Sequence, residues 1–311
     1  MNEQVEWETQ TPEEKKRQLY LKQKHTLDTF LEHGAITRAQ YNKSLGELNG
    51  KMEIKAVNSW DKLAADFQRT YSLGLSEYNS RLLSFWRENG MIFPGCRAID
   101  IGCGVGKYGA YLAASGCDVT LTDISPEMIR LAEKNLASFS SPCRTYVCNF
   151  DDVTGREPQF REGFDFAIST MSPAIHNTET VMKMSSMTDG WCFIARFSSW
   201  NQPNRDKLLN ALGIKPKRAS EELTADVEEM IACVTDAGFL PQIKYVEYNW
   251  CDMRSPEEAA EYMQSRYTEG LGIEVETVIE EVRKLCGREG LFEDSVNTDV
   301  AWIYWNTKKS S

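Results

Sequence analysis

The feature that most constrains the fold of this chain is a glycine-rich segment that directly follows an apolar strand pattern. Residues 98–109 read Ala-Ile-Asp-Ile-Gly-Cys-Gly-Val-Gly-Lys-Tyr-Gly. Glycine lets the backbone adopt positive φ angles and approach a ligand closely. A helix that follows such a loop offers unpaired N–H groups in its first turn. The segment therefore predicts a strand, a ligand-binding loop and a helix in direct succession.

Two registers of this loop point to different ligands. Residues 104–109 match G-x-G-x-x-G, which is typical of dinucleotide sites. That register puts Gly102 inside the strand and weakens it, whereas a loop that begins at Gly102 leaves a clean strand at residues 97–101. Asp100 then precedes the first glycine by two residues. Its carboxylate would repel a pyrophosphate and would suit the ammonium and sulfonium groups of S-adenosylmethionine. Asp123, 21 residues after Gly102, ends the next predicted strand and can accept hydrogen bonds from ribose hydroxyls.

From residue 96 onward, strand and helix patterns alternate, which is typical of a sheet covered by helices on both faces. The predicted strands are residues 97–101, 118–122, 144–148, 164–169, 191–197, 240–249 and 300–306. The predicted helices between them are residues 107–114, 126–138, 178–187 and 221–237. We also predict a helical hairpin at 1–57, a main domain at 58–311 that opens with a helical cap at 58–95, and an acidic helical insertion at 252–299. The fold class is therefore α/β with an N-terminal helical extension.

Together these segments resemble the class I (Rossmann-like) S-adenosylmethionine-dependent methyltransferase family over residues 58–306. Besides the glycine segment, Leu-Thr-Asp-Ile-Ser-Pro-Glu-Met at residues 121–128 and Phe-Asp-Phe-Ala-Ile at residues 164–168 match family motifs. The resemblance implies a Rossmann-like, seven-stranded, mostly parallel sheet with helices on both faces and one antiparallel strand at its edge. It also implies S-adenosylmethionine as the cofactor.

The same resemblance implies a set of cofactor-binding residues. Asn149 stands where the family usually has an aspartate, with Phe150 beside it, so Asp151 is an alternative partner for the adenine. The implied cofactor-binding residues are Asp100, Gly102, Cys103, Gly104, Gly106, Asp123, Ile124, Met128, Asn149, Phe150, Asp151 and Ser169.

The segment Ser-Thr-Met-Ser-Pro-Ala-Ile-His at residues 169–176 follows the fourth strand, a position that lies beside the methyl group in this family. Methyl transfer is an in-line displacement, and a general base is needed only when the nucleophile must lose a proton. His176 is the one histidine of the main domain and is our candidate catalytic base. The alternative is a histidine that only stabilises the loop. Ser172-Pro173 resembles the start of the Asn/Asp/Ser-Pro-Pro-aromatic motif of amino methyltransferases, but Ala174 and Ile175 break that match.

Aromatic and apolar residues near the expected site are candidates for acceptor binding. Trp60 and Tyr71 lie on the helical cap, which in many small-molecule methyltransferases covers the cofactor. Met171 follows the fourth strand and Trp200 follows the fifth. The alternative for each is core packing. The insertion at 252–299 is either a lid over the acceptor or a solvated acidic face.

Charge and cysteine usage limit the partners. Residues 1–95 hold 13 acidic and 13 basic side chains, so residues 96–311 carry the whole net charge of −11. This disfavours a nucleic-acid partner. We find no stretch of about 18 apolar residues and no signal-peptide pattern, so we expect no membrane partner and a cytoplasmic location. The nine cysteines lack Cys-x-x-Cys spacing, so we expect reduced thiols and no metal. The alternative is metalloid chemistry at Cys103, Cys148 and Cys192.

The sequence therefore predicts an S-adenosylmethionine-dependent methyltransferase (EC 2.1.1.-) that acts on a small-molecule acceptor. One alternative is an RNA or protein methyltransferase of the same fold. Another is a regulatory or interaction protein that binds S-adenosylmethionine without turnover. The helical hairpin at 1–57 is a candidate surface for homo-oligomer formation.

Overall fold

A computed structural model describes residues 57, 59–68, 71, 76–155, 157, 160, 163–216, 219–268 and 271–308. The chain divides into two units, residues 1–65 and residues 66–311. In the first unit, residue 57 and residues 59–65 are helical. The predicted hairpin over residues 1–56, and with it the predicted oligomer surface, lies outside the described residues.

The second unit alternates strands and helices along the chain. Its strands are β1 (Arg97–Ile101), β2 (Asp118–Asp123), β3 (Cys143–Val147), β4 (Phe164–Thr170), β5 (Thr188–Phe197), β6 (Gln242–Glu247), β7 (Trp250–Arg254), β8 (Phe292–Val296) and β9 (Asp299–Asn306). Its helices are α1 (Glu77–Glu88), α2 (Lys107–Ala114), α3 (Pro126–Leu136), α4 (Thr178–Ser186), α5 (Pro203–Ala211), α6 (Ala219–Asp236), α7 (Pro256–Met263) and α8 (Val275–Leu285). Within the described residues, no helix is both long and apolar enough to span a bilayer.

The main sheet has seven strands in the order β3-β2-β1-β4-β5-β9-β6. Strands β1 to β5 pair in parallel, and β9 is antiparallel to both β5 and β6. The predicted α/β class and mostly parallel seven-stranded sheet are confirmed. The expectation that the antiparallel strand lies at the sheet edge is wrong, because β9 inserts between β5 and β6 and leaves β6 at the edge.

Helices cover both faces of this sheet because side chains alternate along each strand. Ala98 of β1 packs with Leu82 and Trp86 of α1 on one face. Ile99 of β1 packs with Val181 of α4 on the other face, where α6 also contributes. Local capping fixes where the helices begin. For example, the Ser125 hydroxyl at the start of α3 accepts a hydrogen bond from the Met128 N–H.

A separate cluster of apolar side chains lies in the segments that follow β5 and β6. Helices α5, α7 and α8 share this cluster with β8, which pairs with β7 in a two-stranded antiparallel sheet. The sequence pattern predicted helices here but not these strands. The reason is that β7 and β8 turn charged residues inward, so Arg254 and Asp294 interrupt the apolar alternation that identifies a strand. The buried members are Leu208, Leu209, Ala259, Ala260, Met263, Val278, Val282 and Phe292.

A buried ion pair holds this cluster together. Asp294 of β8 is 2% exposed and accepts two hydrogen bonds from the guanidinium of Arg205 on α5. The Arg205 guanidinium also donates to the Tyr267 hydroxyl at 3.1 Å and lies 5.0 Å from the centre of the Tyr262 ring. Arg254 Nη1 lies 3.5 Å from Asp294 Oδ2. Removal of one charge from such a pair leaves the other buried and unpaired, which is costly.

We therefore predict that Arg205→Met destabilises the α5–α7–α8 region by about 3 kcal/mol, the usual size for a broken buried pair. Hydrogen exchange of peptides from residues 256–296, with urea unfolding of the whole chain, measures the loss. Arg144→Met is the matched control, because its ion pair with Asp118 is half exposed and should contribute less than about 1 kcal/mol. Equal destabilisation by the two variants would contradict this role for Arg205.

Candidate functional site

The carboxyl ends of the parallel strands bring the predicted site residues to one edge of the sheet. Gly102 follows β1, Asp123 ends β2 and Met171 follows β4. Strands β5 and β6 also end at this edge, and β9 begins there because it runs antiparallel to them. Ligands of open α/β sheets bind at the carboxyl ends of the strands.

The glycine loop has the geometry that the sequence predicted. Gly102, Gly104 and Gly106 have φ angles of 72°, 54° and 80°, in the region that L side chains rarely adopt. A Cβ at Gly102 would lie 1.9 Å from Ser172 Oγ, and one at Gly106 would lie 3.0 Å from Ala132 Cβ. At Gly104 the nearest atom would be Met128 Sδ, 4.0 Å away. The two outer glycines are therefore packed against protein, and the middle one leaves backbone open to a ligand.

Asp123 is fixed beside this loop by backbone donors. Its Oδ2 accepts a hydrogen bond from the Gly104 N–H at 2.9 Å, and its Oδ1 accepts one from the Ser125 N–H at 2.9 Å. A carboxylate has about four lone-pair sites, so both oxygens keep capacity for further donors. The half-buried carboxylate is thus oriented before any ligand arrives.

Asp100 is a buried carboxylate that lacks a full set of hydrogen-bond partners among the described residues. It is 1% exposed, and its Oδ2 has no hydrogen-bond partner among the described residues. Burial, together with the neighbouring charge of Asp123, raises the pKa of Asp100 to about 7. A buried acceptor without a donor is costly, so this oxygen is suited to a ligand that carries a cationic N–H group.

Cys103 and Cys148 follow β1 and β3 at this edge, Cys192 lies within β5, and the surroundings of all three favour the protonated thiol. Burial raises the pKa of Cys103 well above its usual value, that of Cys148 to about 11 and that of Cys192 to about 12. The thiolate is the form that binds soft metals and metalloids. Within the described residues no three His, Cys, Asp or Glu side chains come together as a metal site. The thiols therefore offer poor ligands for metalloid chemistry.

The residues predicted to contact adenine lie in a short 3₁₀ turn after β3. Asn149 Oδ1 accepts a hydrogen bond from the Asp151 N–H at 3.2 Å and so caps this turn, Phe150–Asp152. Phe150 is buried in the core. Asp151 is exposed, and its Oδ1 lies 3.6 Å from Nε2 of His176. The structure therefore places His176, the candidate base, next to Asp151.

The segment after β4 lies against the glycine loop. The buried Ser169 hydroxyl donates to the Ile101 carbonyl at 3.0 Å, so it ties β4 to the end of β1. Met171 has a φ of 55°, the one positive φ of a non-glycine residue in the described part of the chain. Ser172 is the residue that packs on Gly102.

Three residues at this site were missed by the sequence analysis. The Gln68 and Asn135 side chains exchange two hydrogen bonds, and Asn135 Nδ2 also donates to the Val105 carbonyl of the glycine loop at 2.9 Å. Arg196 is buried near the end of β5 and donates to backbone carbonyls of the segment after β4. Polar side chains give no periodic signal, but an arginine inside the apolar pattern of β5 could have been noticed.

A chain of aromatic rings continues from this edge toward the β7–β8 sheet. Trp200 lies 4.8 Å from Phe197 and 5.4 Å from Trp250, measured between ring centroids. Trp250 lies 4.9 Å from Tyr248, which stacks on Tyr78 at 4.1 Å. Trp200, Tyr248 and Trp250 are all partly exposed. This chain of rings is therefore partly open to a ligand.

The helical cap contributes Tyr71, whose hydroxyl is buried and has no hydrogen-bond partner among the described residues. Trp60 belongs to the first unit, so its role stays a prediction. Ile124 is half-buried just after Asp123, and Met128 is buried in the first turn of α3.

Comparison with known proteins agrees with this geometry. A family model described as a methyltransferase domain matches residues 98–187. The ubiquinone biosynthesis O-methyltransferase of Xanthomonas campestris pv. campestris is 31% identical over 65 residues, which are 21% of this chain and 27% of the relative. The magnesium-protoporphyrin O-methyltransferase of Rhodobacter capsulatus is 31% identical over 94 residues, 30% of this chain and 33% of the relative. The chain thus spans about a third or less of the length of these curated relatives.

Among solved structures, the magnesium protoporphyrin IX methyltransferase of Synechocystis PCC 6803 with bound SAH is similar, with a TM-score of 0.45 and 17% identity. The match covers 80% of this chain and 98% of that one. The family model covers β1 through α4, the part that holds the glycine loop, Asp123 and the segment after β4. Residues 98–187 therefore match a methyltransferase-domain family.

Proposed function

We propose that this chain transfers the methyl group of S-adenosylmethionine to a small-molecule acceptor. The observation that carries the proposal is the buried Asp100 carboxylate, one oxygen of which has no hydrogen-bond partner among the described residues and lies beside a glycine loop of positive φ. A dinucleotide pyrophosphate would meet electrostatic repulsion at this carboxylate. The ammonium group of S-adenosylmethionine would supply the missing donor and a compensating charge.

The remaining residues fit the other parts of this cofactor. Asp123 is oriented to accept hydrogen bonds from the ribose hydroxyls. The open side of Gly104 lets the backbone approach the ligand. Ile124 and Met128 are the proposed neighbours of the ribose and adenine, as the family resemblance implies. Because Asn149 Oδ1 is engaged in capping, Asp151 and the Asn149 amide nitrogen are the groups left for the adenine edge.

The bound cofactor supplies an electrophilic methyl group, and the protein supplies orientation. Holding a nucleophile in line with a reacting carbon accounts for effective molarities of about 10⁵ M or more in well-oriented reactions. His176 is the proposed base for an acceptor that must lose a proton. Asp151, 3.6 Å from His176 Nε2, would hold the imidazole in place.

The acceptor is proposed to lie against the aromatic chain at the carboxyl edge. Trp200, with its neighbours Trp250 and Tyr248, offers partly exposed faces. Met171 lies in the segment after β4 that packs on the glycine loop, and Tyr71 and Trp60 stay predicted contacts. The insertion at 252–299 leaves the sheet after β6, at this same edge, and is a proposed lid over the acceptor. The net charge of −11 and the small-molecule names of the two curated relatives favour a small molecule over RNA.

Transfer of tritiated methyl from S-adenosylmethionine tests this proposal. We expect label in the metabolite extract of the producing organism and none in its RNA or protein fractions. Asp123→Ala is the loss control, because it removes the proposed ribose contact. Label in RNA or protein would support the alternative acceptor classes. Binding of S-adenosylhomocysteine without any transfer would support a regulatory protein instead.

The proposed base has its own test. His176→Ala should lower the rate of transfer about 100-fold, the usual contribution of general base catalysis. Affinity for S-adenosylhomocysteine, measured by calorimetry, should change less than threefold. His176→Gln keeps hydrogen bonding without proton transfer and should be as slow as the alanine variant. Unchanged turnover with an unchanged pH profile would show that His176 only stabilises its loop.

The buried carboxylate predicts opposite effects on stability and on binding. The pKa of Asp100 rises from about 4 unfolded to about 7 folded, so its protonated form favours folding and this stability is lost as pH rises from 4 to 7. At pH 8, Asp100→Asn should therefore raise stability by about 1–3 kcal/mol. The same variant should bind S-adenosylhomocysteine at least tenfold more weakly, because the ammonium loses its counter-charge.

Thermal unfolding and calorimetry between pH 6 and pH 8 measure both effects. Wild-type affinity should increase as pH rises through 7, since the ionised carboxylate binds the ammonium, and the affinity of Asp100→Asn should vary less. Asp118→Asn, which alters a half-exposed ion pair at the opposite edge of the sheet, should leave the affinity unchanged. A less stable Asp100→Asn variant with wild-type affinity would contradict the assignment.

A further inference from the structure

Arg196 is a buried cation that the proposed reaction does not yet use. It lies one residue before the end of β5, with 7% of its surface exposed. Its Nη1 donates to the Ser172 carbonyl, and its Nη2 donates to the Ile175 carbonyl. Its Nε lies 3.5 Å from Asp226 Oδ2 on α6. One guanidinium thus joins β5, α6 and the segment after β4.

The two carbonyls, rather than the carboxylate, are the main partners of this arginine. Asp226 is more than half exposed, so water screens its charge. Burial lowers the pKa of Arg196, and the charge of Asp226 only partly offsets this. A buried guanidinium is tolerated where its planar fork meets several acceptors, and lysine cannot reproduce that geometry.

The segment that Arg196 holds, residues 171–176, has a conformation that needs support. Met171 adopts a left-handed φ of 55°, which costs on the order of 1–2 kcal/mol for a residue other than glycine. The next residue, Ser172, occupies the space that a side chain at Gly102 would fill. The segment ends at His176. Its position therefore sets both the wall of the glycine loop and the placement of the candidate base.

We propose that Arg196 is a positioning residue for methyl transfer: by binding the Ser172 and Ile175 carbonyls, it fixes residues 171–176 against the glycine loop. This inference rests on the proposed function. Arg196 touches neither acceptor nor cofactor in this role. A shift of about 1 Å in such a segment is enough to lower a rate about 100-fold, although the cofactor still binds.

The test compares Arg196→Gln and Arg196→Lys with the wild type and with the control variant Arg144→Gln. Arg144 lies near the start of β3, at the amino ends of the parallel strands. The readouts are the apparent kcat with tritiated S-adenosylmethionine and a fixed metabolite extract, the KM for S-adenosylmethionine, and hydrogen exchange of peptides covering residues 171–177. We expect both Arg196 variants to lower the apparent kcat about 100-fold, with a KM within about threefold of wild type, and to exchange faster in these peptides. Arg144→Gln should match the wild type in all three.

Chemical rescue separates positioning from general damage to the fold. Added guanidinium chloride at low millimolar concentration should restore part of the apparent kcat of Arg196→Ala, and equal sodium chloride should not. Wild-type kcat and exchange in Arg196→Gln would overturn the inference, as would a rise in KM as large as the loss in kcat. If Arg196→Gln does not fold, Arg196→Lys and the rescue decide.

Failure of the proposed function would give results that differ from failure of the positioning role alone. In that case the wild type itself would neither bind S-adenosylhomocysteine nor transfer label, whereas exchange in residues 171–177 would still respond to Arg196→Gln. A wild type that transfers label, together with Arg196 variants that keep the wild-type rate, would overturn only the positioning role.

Discussion

The contact between Gly102 and Ser172 sets the geometry on which the rest of the site depends. Residue 102 has no room for a side chain, because Ser172 Oγ lies 1.9 Å from where a Cβ would be. This close approach requires glycine in the loop after β1 and an unusual backbone at Met171 after β4. Parallel pairing of β1 with β4 brings the two segments to the same edge. The glycine loop and the segment after β4 are therefore one packed unit.

Two buried aspartates in this molecule differ in their hydrogen-bond and charge partners. Asp294 is paired with Arg205 and holds an accessory region together. Asp100 is equally buried, but one of its oxygens has no partner among the described residues, and the repulsion of Asp123 is added to its cost. Stability alone would favour a partner for both carboxylates. An uncompensated charge beside a glycine loop is the kind of local cost that marks a ligand site.

Much of the central fold could be predicted from the sequence because it depends on local signals. Strand β1 and helix α2 have the predicted bounds, since an apolar run, a glycine loop and a helix follow one another within twenty residues. Asp123 was predicted beside the loop from its place at the end of a strand, and it binds the Gly104 N–H. The positions of β9 between β5 and β6, and of β7 beside β8, depend on long-range pairing that no local pattern records. Arg196 interrupts the apolar pattern of β5 and is noticeable there, but its carbonyl partners, 21 and 24 residues away, could not be predicted from a local pattern.

The position of β9 also determines the order in which the sheet can form. Among the described strands, β6 does not pair with β5 and joins the sheet through β9 alone. Ser199 and Asp299, which flank the ends of β5 and β9, hydrogen-bond across 100 residues of chain. During synthesis β6 therefore emerges before its only neighbour in the sheet exists, and the whole accessory region is made before β9 can close the gap. Long-range pairing of this kind folds slowly and leaves strand edges exposed in the meantime. Backbone pairing of Asn201 with Asn297, at the two ends of that region, brings the start of β9 to the end of β5 in the finished fold.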